Sequence, residues 1–266
     1  MRFLTALVFI PLILWLLFWV APVGFVVLVY LACAVAAAEL FAMTLPGARV
    51  LQIYGVLAML GILTSIVYLQ NFGGVLAPII VLLTVVGLLL GLATPEPIDR
   101  ASERIAWLIA GPLYIGGLVA TVALLHIREH QGAWVLLSML LAWMGDTGGY
   151  FAGRFFGKHK LYERVSPKKT IEGSIGGLAG SVLGALIAHF WFLPELPLIG
   201  GILLALVGGG LGQAGDLCES LIKRGTGVKD SGSILPGHGG ILDRIDALMF
   251  TAASTWVYAT YILDRQ

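Results

Sequence analysis

Apolar residues along this chain come in long runs, not in the period-two or period-3.6 spacing of half-buried strands and helices. A bilayer core of about 30 Å is crossed by about 20 apolar helical residues, so the chain divides wherever charges, prolines or turn residues interrupt such a run. Nine spans result, over approximately 3–20, 25–45, 50–70, 74–93, 106–126, 132–151, 173–193, 199–218 and 241–262. The first opens on Met1-Arg2-Phe3 with no small-residue cleavage site before Pro22, and a second follows at once, so it reads as a retained helix and not a signal peptide. The pattern predicts an all-α integral membrane protein of about nine transmembrane helices.

Composition agrees. Hydrophobic residues make up 59% of the 266 and charged residues 12%, against roughly 25% charged in a soluble domain, which excludes a soluble enzyme. Sixteen Lys and Arg against fifteen Asp and Glu give a net charge of +1, so no basic excess argues for a nucleic-acid partner. Cys33 and Cys218 lie in separate apolar stretches without paired spacing, which indicates neither a disulfide framework nor a zinc site.

Charge placement sets the expected orientation. With the N-terminus cytoplasmic and the spans alternating, fourteen of the sixteen basic residues fall inside and only Arg128 and Arg265 outside, as translocated loops require. An odd number of spans puts the C-terminus outside and makes 152–172 and 219–240 the two large cytoplasmic loops. Residues 1–94 read as an N-terminal scaffold whose one acid is Glu39, 95–131 as a connector and middle span, and 132–266 as a catalytic region. In that last region Gly176, Gly180 and Gly184 fall four apart on one face, as do Gly208 and Gly212, the spacing of close helix packing.

An ionisable residue inside a span normally faces a partner or a cavity. Asp146, Asp216, Glu219, Asp243 and Asp246 all fall near the cytoplasmic ends of spans six, eight and nine, and 216/219 and 243/246 are three apart, so each pair shares a helix side. Carboxylates gathered at one depth repel unless a cation lies among them, and a magnesium ion, which takes one or two carboxylates plus substrate phosphates, suits such a site. A transporter would hold its acids near the bilayer midplane. The loops supply the opposite charge with glycines between: Gly153-Arg154 through Lys160, Ser166-Pro167-Lys168-Lys169-Thr170 with Glu172, Ser220 through Asp230, and Pro236-Gly237-His238-Gly239-Gly240. Lys and Arg neutralise phosphate while glycine lets backbone N–H groups approach it. Thr170 stands where it could cap span seven, and His238 where it could contact phosphate or act as acid or base. No Walker P-loop pattern occurs.

The segment Ser220–Asp246 resembles the signature of the phosphatidate cytidylyltransferase (CDP-diacylglycerol synthase) family: Ser220, Lys223, Arg224, Lys229, Asp230, Pro236, His238, Gly239, Gly240, Asp243, Arg244 and Asp246 stand at its spacing. Asp146-Thr147-Gly148-Gly149-Tyr150 and Ser166 to Gly173 are also similar to that family, Gly149 standing where alanine is commoner. The resemblance implies transfer of a cytidylyl group from CTP to phosphatidic acid in a bacterial inner membrane, by a homodimer whose site faces the cytoplasm. It implies Mg2+ on Asp216, Asp243 and Asp246, with Asp146 as a further ligand or a lysine's partner, and a second metal or monovalent ion is allowed. Lys223 and Arg224 join the three aspartates as catalytic residues; Lys229, Arg244, Ser166, Lys168, Lys169, Thr170, Glu172, Asp230 and His238 would bind substrate. A CTP-dependent lipid kinase would use similar groups, but the complete signature argues against it.

Overall fold

In the computed structural model of the chain, residues 11–18, 22–69, 74–128, 132–234 and 239–263 are described. Arg2, Pro236, His238 and Arg265, all used in the reading above, lie outside them. Residues 11–18 are helical and are called α1. Then come α2 (Pro22–Thr44), α3 (Arg49–Tyr68), α4 (Leu76–Ala93), α5 (Ala101–Gly111), α6 (Leu118–Ile127), α7 (Ala133–Phe156), α8 (Ile171–Trp191), α9 (Leu198–Gly225) and α10 (Leu242–Tyr261). A π-helical stretch, Pro112–Gly117, joins α5 to α6 without a break.

Among the described residues, six helical stretches are long and apolar enough to cross a membrane: Val23–Thr44, Arg49–Tyr68, Leu76–Ala93, Ile98–Ile127, Ile171–Trp191 and Leu198–Gly225. The chain is thus a helical, multi-pass type of membrane protein. The expected spans at 132–151 and 241–262 coincide with α7 and α10, which carry Asp146, Asp243 and Asp246 and are correspondingly less apolar.

Helix ends and one loop differ from the sequence reading. Helix α7 continues to Phe156 and α9 to Gly225, beyond the 151 and 218 at which charge suggested an end. In α9 the charges are satisfied along the helix, because Glu219 and Lys223 are four apart and pair. The loop after α7 is not wholly irregular: β1 (Lys160–Tyr162) and β2 (Ser166–Thr170) form an antiparallel hairpin, so the fold is all-α apart from this small ribbon.

Two local features follow from single residues. Pro112 has no N–H to donate to the preceding turn, and the helix loosens from α- to π-geometry there. In the connector, the buried Arg104 guanidinium donates to the carbonyls of Thr94 (3.0 Å), Pro95 (2.6 Å) and Pro97 (2.9 Å), satisfying acceptors left over at the end of α4.

The apolar core runs through both halves, gathering Leu17, Phe25, Phe41, Met59, Leu108, Leu125 and Leu137 with Ala185 of α8, Leu204 of α9 and Met249 of α10. In the site-bearing half the helices also come into near backbone contact. A Cβ on Gly180 would strike the Met144 carbonyl, one on Gly184 would come 3.0 Å from Leu140 O, and one on Gly176 would meet Ala152. The Ser181 hydroxyl adds a bond to Leu141 O (2.8 Å). Gly208 and Gly212 likewise admit Ser254 and Thr251 of α10. The glycine faces therefore pack helices, as small residues do in membranes.

We expect Gly180→Val to destabilise the protein by about 1–3 kcal/mol through overpacking. Gly61, which has open space around it, should accept alanine without loss. Thermal unfolding in detergent of the two variants checks this, and equal stability would contradict the packing.

Candidate active site

The N-terminal side of α8 begins at Thr170, whose extended backbone lets its hydroxyl accept from Gly173 N (3.1 Å), the cap the sequence suggested. Glu172 then turns back: Oε2 accepts from the backbone N–H of Lys158 (3.0 Å) and His159 (3.2 Å), and Oε1 meets His159 Nδ1 at 2.6 Å. Glu172 thus organises the turn between α7 and the hairpin. Its counterpart is Arg224, which donates to Val165 O (3.4 Å) and Val228 O (3.2 Å) and ties the end of α9 to the hairpin and the second loop.

Between α7, β2, the start of α8 and α9 lies a cleft of about 390 Å³. Asp146, Tyr150 and Arg154 enter it from α7 at four-residue spacing, so they share one helix face. Lys168, Lys169 and Thr170 enter from β2, Ser174 from α8, and Gln213 and Asp216 from α9. Lys169 Nζ pairs with Asp216 Oδ2 at 2.7 Å, both side chains partly exposed. Arg154 donates to the Tyr150 hydroxyl (2.8 Å). Ser174 and Gln213, which sequence reasoning missed, bond each other across α8 and α9; Gln213 Nε2 donates to Ser174 O at 3.1 Å. Their signal was weak because uncharged polar residues in a span are also common packing residues.

A second set of charges is closed. The Lys223 ammonium, buried, lies 2.5 Å from Asp243 Oδ1 and pairs with Glu219 Oε2. Glu219 is fully buried, and its Oε1 has no hydrogen-bond partner. Asp243 Oδ2 accepts from Ser231 N (2.9 Å), Ser231 Oγ (2.9 Å) and Gly240 N (2.8 Å). Gly239, at φ +78°, has no room for a Cβ, which would lie 2.6 Å from that same oxygen.

The sequence reading of the N-terminal half as scaffold with no site overlooked one residue. Glu39, buried in α2, accepts from Ile241 N (3.0 Å) and Leu242 N (2.9 Å), and its Oε2 lies 3.1 Å from Ser231 Oγ, whose one proton it shares with Asp243 Oδ2. A carboxylate there neutralises the N-terminal end of α10 and satisfies donors that the helix itself leaves open.

The five acids thus divide. Asp146 and Asp216 open onto the cleft. Asp246 is buried within electrostatic range of both, its Oδ1 accepting from Ala247 N at 2.7 Å, and Arg244 and Lys169 lie in range of Asp146. Asp243 and Glu219 are bound to Lys223. Among the described residues no three His, Cys, Asp or Glu side chains converge as ligands. A magnesium ion that keeps waters and takes phosphate oxygens fits the pair Asp146 and Asp216; it does not fit Asp243 here, whose two oxygens carry four bonds. Of the remaining predicted residues, Ser166 stands at the start of β2, and Lys229 and Asp230 are exposed on the loop after α9.

In a helical, multi-pass type of membrane protein, this cleft brings Asp146 and Arg154 of α7, Asp216 of α9 and Lys168 and Lys169 of β2 to one opening, a mixture of carboxylates and cations. The chain belongs to the Cytidylyltransferase family, whose sequence model it matches over residues 1–262. It is 42% identical over 145 residues to a phosphatidate cytidylyltransferase of Staphylococcus epidermidis, covering 54% of this chain and 55% of that protein. To the phosphatidate cytidylyltransferase of Staphylococcus haemolyticus it is 50% identical over 117 residues (44% and 45% covered). To that of Staphylococcus aureus it is 43% identical over 147 (54% and 55%). The chain spans about half the length of the curated relatives it matches.

Lys223→Met leaves Glu219 and Asp243 without their cation, and we expect a loss of about 3–5 kcal/mol, the cost of uncompensated buried charge. Adding Glu219→Gln should restore part of it. Denaturant unfolding of both variants checks the pair; a single mutant as stable as the parent would refute it.

Proposed function

We propose that this protein transfers a cytidylyl group from CTP to phosphatidic acid, giving CDP-diacylglycerol and pyrophosphate for phospholipid biosynthesis. The observation that carries the reading is the cleft lined by Asp146 and Asp216 together with Arg154, Lys168 and Lys169. Membership of the family and the names of the relatives support it. In the same reading the chain crosses a bacterial inner membrane nine times, with its N-terminus and this cleft on the cytoplasmic side and its C-terminus outside. The charge asymmetry of the loops supports that orientation. A homodimer is part of the proposal on family grounds.

The reaction joins a phosphate oxygen of phosphatidate to the α-phosphorus of CTP, while the bond from that phosphorus to the β,γ-pyrophosphate breaks. A phosphate monoester is already nucleophilic at neutral pH, so positioning and charge neutralisation do most of the work and no general base is required. Lys168 and Lys169 meet the triphosphate, and Lys169 exchanges its contact with Asp216 for a phosphate oxygen. Arg154, held against Tyr150, supplies a planar donor fork at the rim for a second phosphate. Mg2+ on Asp146 and Asp216, with Asp246 behind them, would supply further charge neutralisation on the phosphates. Substrate lipid enters from the cytoplasmic leaflet, level with the ends of α7 and α9, and the nucleotide from water.

The test is pyrophosphate release by purified protein in detergent with CTP, phosphatidate and Mg2+. Release should require all three, with CDP-diacylglycerol formed, and EDTA should abolish it. Asp216→Asn should lower turnover on the order of 100-fold or more while the protein stays folded. Formation of CDP and a phosphorylated lipid alcohol, or full turnover by Asp216→Asn, would overturn the reading.

A further inference from the structure

We propose that Glu39 is a positioning residue for the transfer reaction: from α2 it fixes Ser231 after α9 and the turn Ile241–Leu242 before α10 and, through them, the acids that open α10. The inference rests on the reaction proposed above, but its geometry is independent of it. Glu39 is the single acid of residues 1–94, and it is buried, a costly place for a carboxylate without partners. Its two oxygens take the N–H groups of Ile241 and Leu242, about two hundred residues downstream, and share the one proton of the Ser231 hydroxyl with Asp243. The approach is close enough that a Cβ on Gly232 or Gly240 would collide with the carboxylate.

What the clasp controls follows from the neighbours of its three donors. Ser231 reaches Asp243 Oδ2 with both its N–H and its hydroxyl, at 2.9 Å each. Asp243 in turn holds Lys223 of α9. Leu242 begins α10, so the bond to its N–H sets where the first turn of that helix lies, and Asp246 is one turn further on. Releasing Glu39 therefore loosens the loop, the Asp243–Lys223 tie and the placement of Asp246 against Asp216 and Asp146. The carboxylate touches no group that lines the cleft, so it acts through others.

An amide cannot replace it. Oε1 accepts from Ile241 N and Oε2 from Leu242 N, so in either orientation a glutamine places its NH2 against an N–H donor. Glu39→Gln in the full-length protein is thus the test, read in two ways. The first is tryptic cleavage after Lys229, exposed on the held loop, compared with cleavage after Arg164 at the hairpin tip. We expect cleavage after Lys229 to rise on the order of fivefold or more, with Arg164 unchanged, because proteolysis follows the population of the locally open loop. The second is kinetic: kcat should fall about 10- to 100-fold, as for other residues that orient a site from behind, while the KM for CTP changes little.

Equal acceleration at both sites with a matching fall in melting temperature would mean a merely structural residue and overturn the proposal. Wild-type loop protection and kcat would also overturn it. If Glu39→Gln does not fold, Ser231→Ala removes the loop's hydroxyl from the same clasp without altering the membrane interior, and the same two readouts apply in milder form. Failure of the wild-type protein to make CDP-diacylglycerol would refute the reaction, while the cleavage pattern would still report on the clasp.

Discussion

The buried ammonium of Lys223, shared between Glu219 of its own helix and Asp243 of the next, is the interaction on which the site-bearing half depends. A charge withdrawn from water costs several kilocalories unless it is paired in good geometry. Here the pairing crosses from α9 to α10, so neither helix can shift without exposing a bare charge. The second oxygen of Asp243 then collects the loop between those helices, and Glu39 ties the loop to α2. Locked charges therefore do the building, and they leave the cleft to a different set.

The open set owes its position to glycine. Helices α7 and α8 approach until backbone meets side chain or backbone, which brings Asp146 and Arg154 near Thr170 and Ser174 at the start of α8. Glutamate 172 and Arg224 fasten the hairpin over this junction, so that Lys168 and Lys169 project into the cleft from a ribbon held at both ends. A cleft in which the lysine–aspartate contact is partly exposed has ions that can be exchanged, since such pairs contribute little stability. That is the property a phosphate site needs, and the opposite of what surrounds Lys223.

Much of this could be seen in the sequence, and what could not has physical reasons. The apolar runs located the helices because a run of about 20 apolar residues favours one continuous helix. The Thr170 cap was legible because a hydroxyl three residues before a backbone donor has a local signature. Helix ends at 156 and 225 were misjudged because charge was taken to stop a span, whereas Glu219 and Lys223 satisfy each other within it. The hairpin was missed because Ser-Pro-Lys-Lys-Thr has no hydrophobic alternation, and its register lies in the pairing of Lys160 with Thr170 and Tyr162 with Ser166. Glu39 was passed over because the partners of its oxygens are mostly backbone N–H groups, which every sequence contains. The gathering of the five acids was legible; their division into locked and open was not, since it depends on which neighbour reaches each oxygen first.

That division is the central claim, and divalent-metal binding tests it most directly. Electron paramagnetic resonance of Mn2+, standing in for Mg2+, would be recorded on the purified protein with CTP, for the parent and for Asp216→Asn and Asp243→Asn in folded form. The account predicts a nucleotide-dependent bound Mn2+ signal that Asp216→Asn removes and Asp243→Asn retains. Loss of the signal only in Asp243→Asn, with Asp216→Asn unaffected, would contradict it.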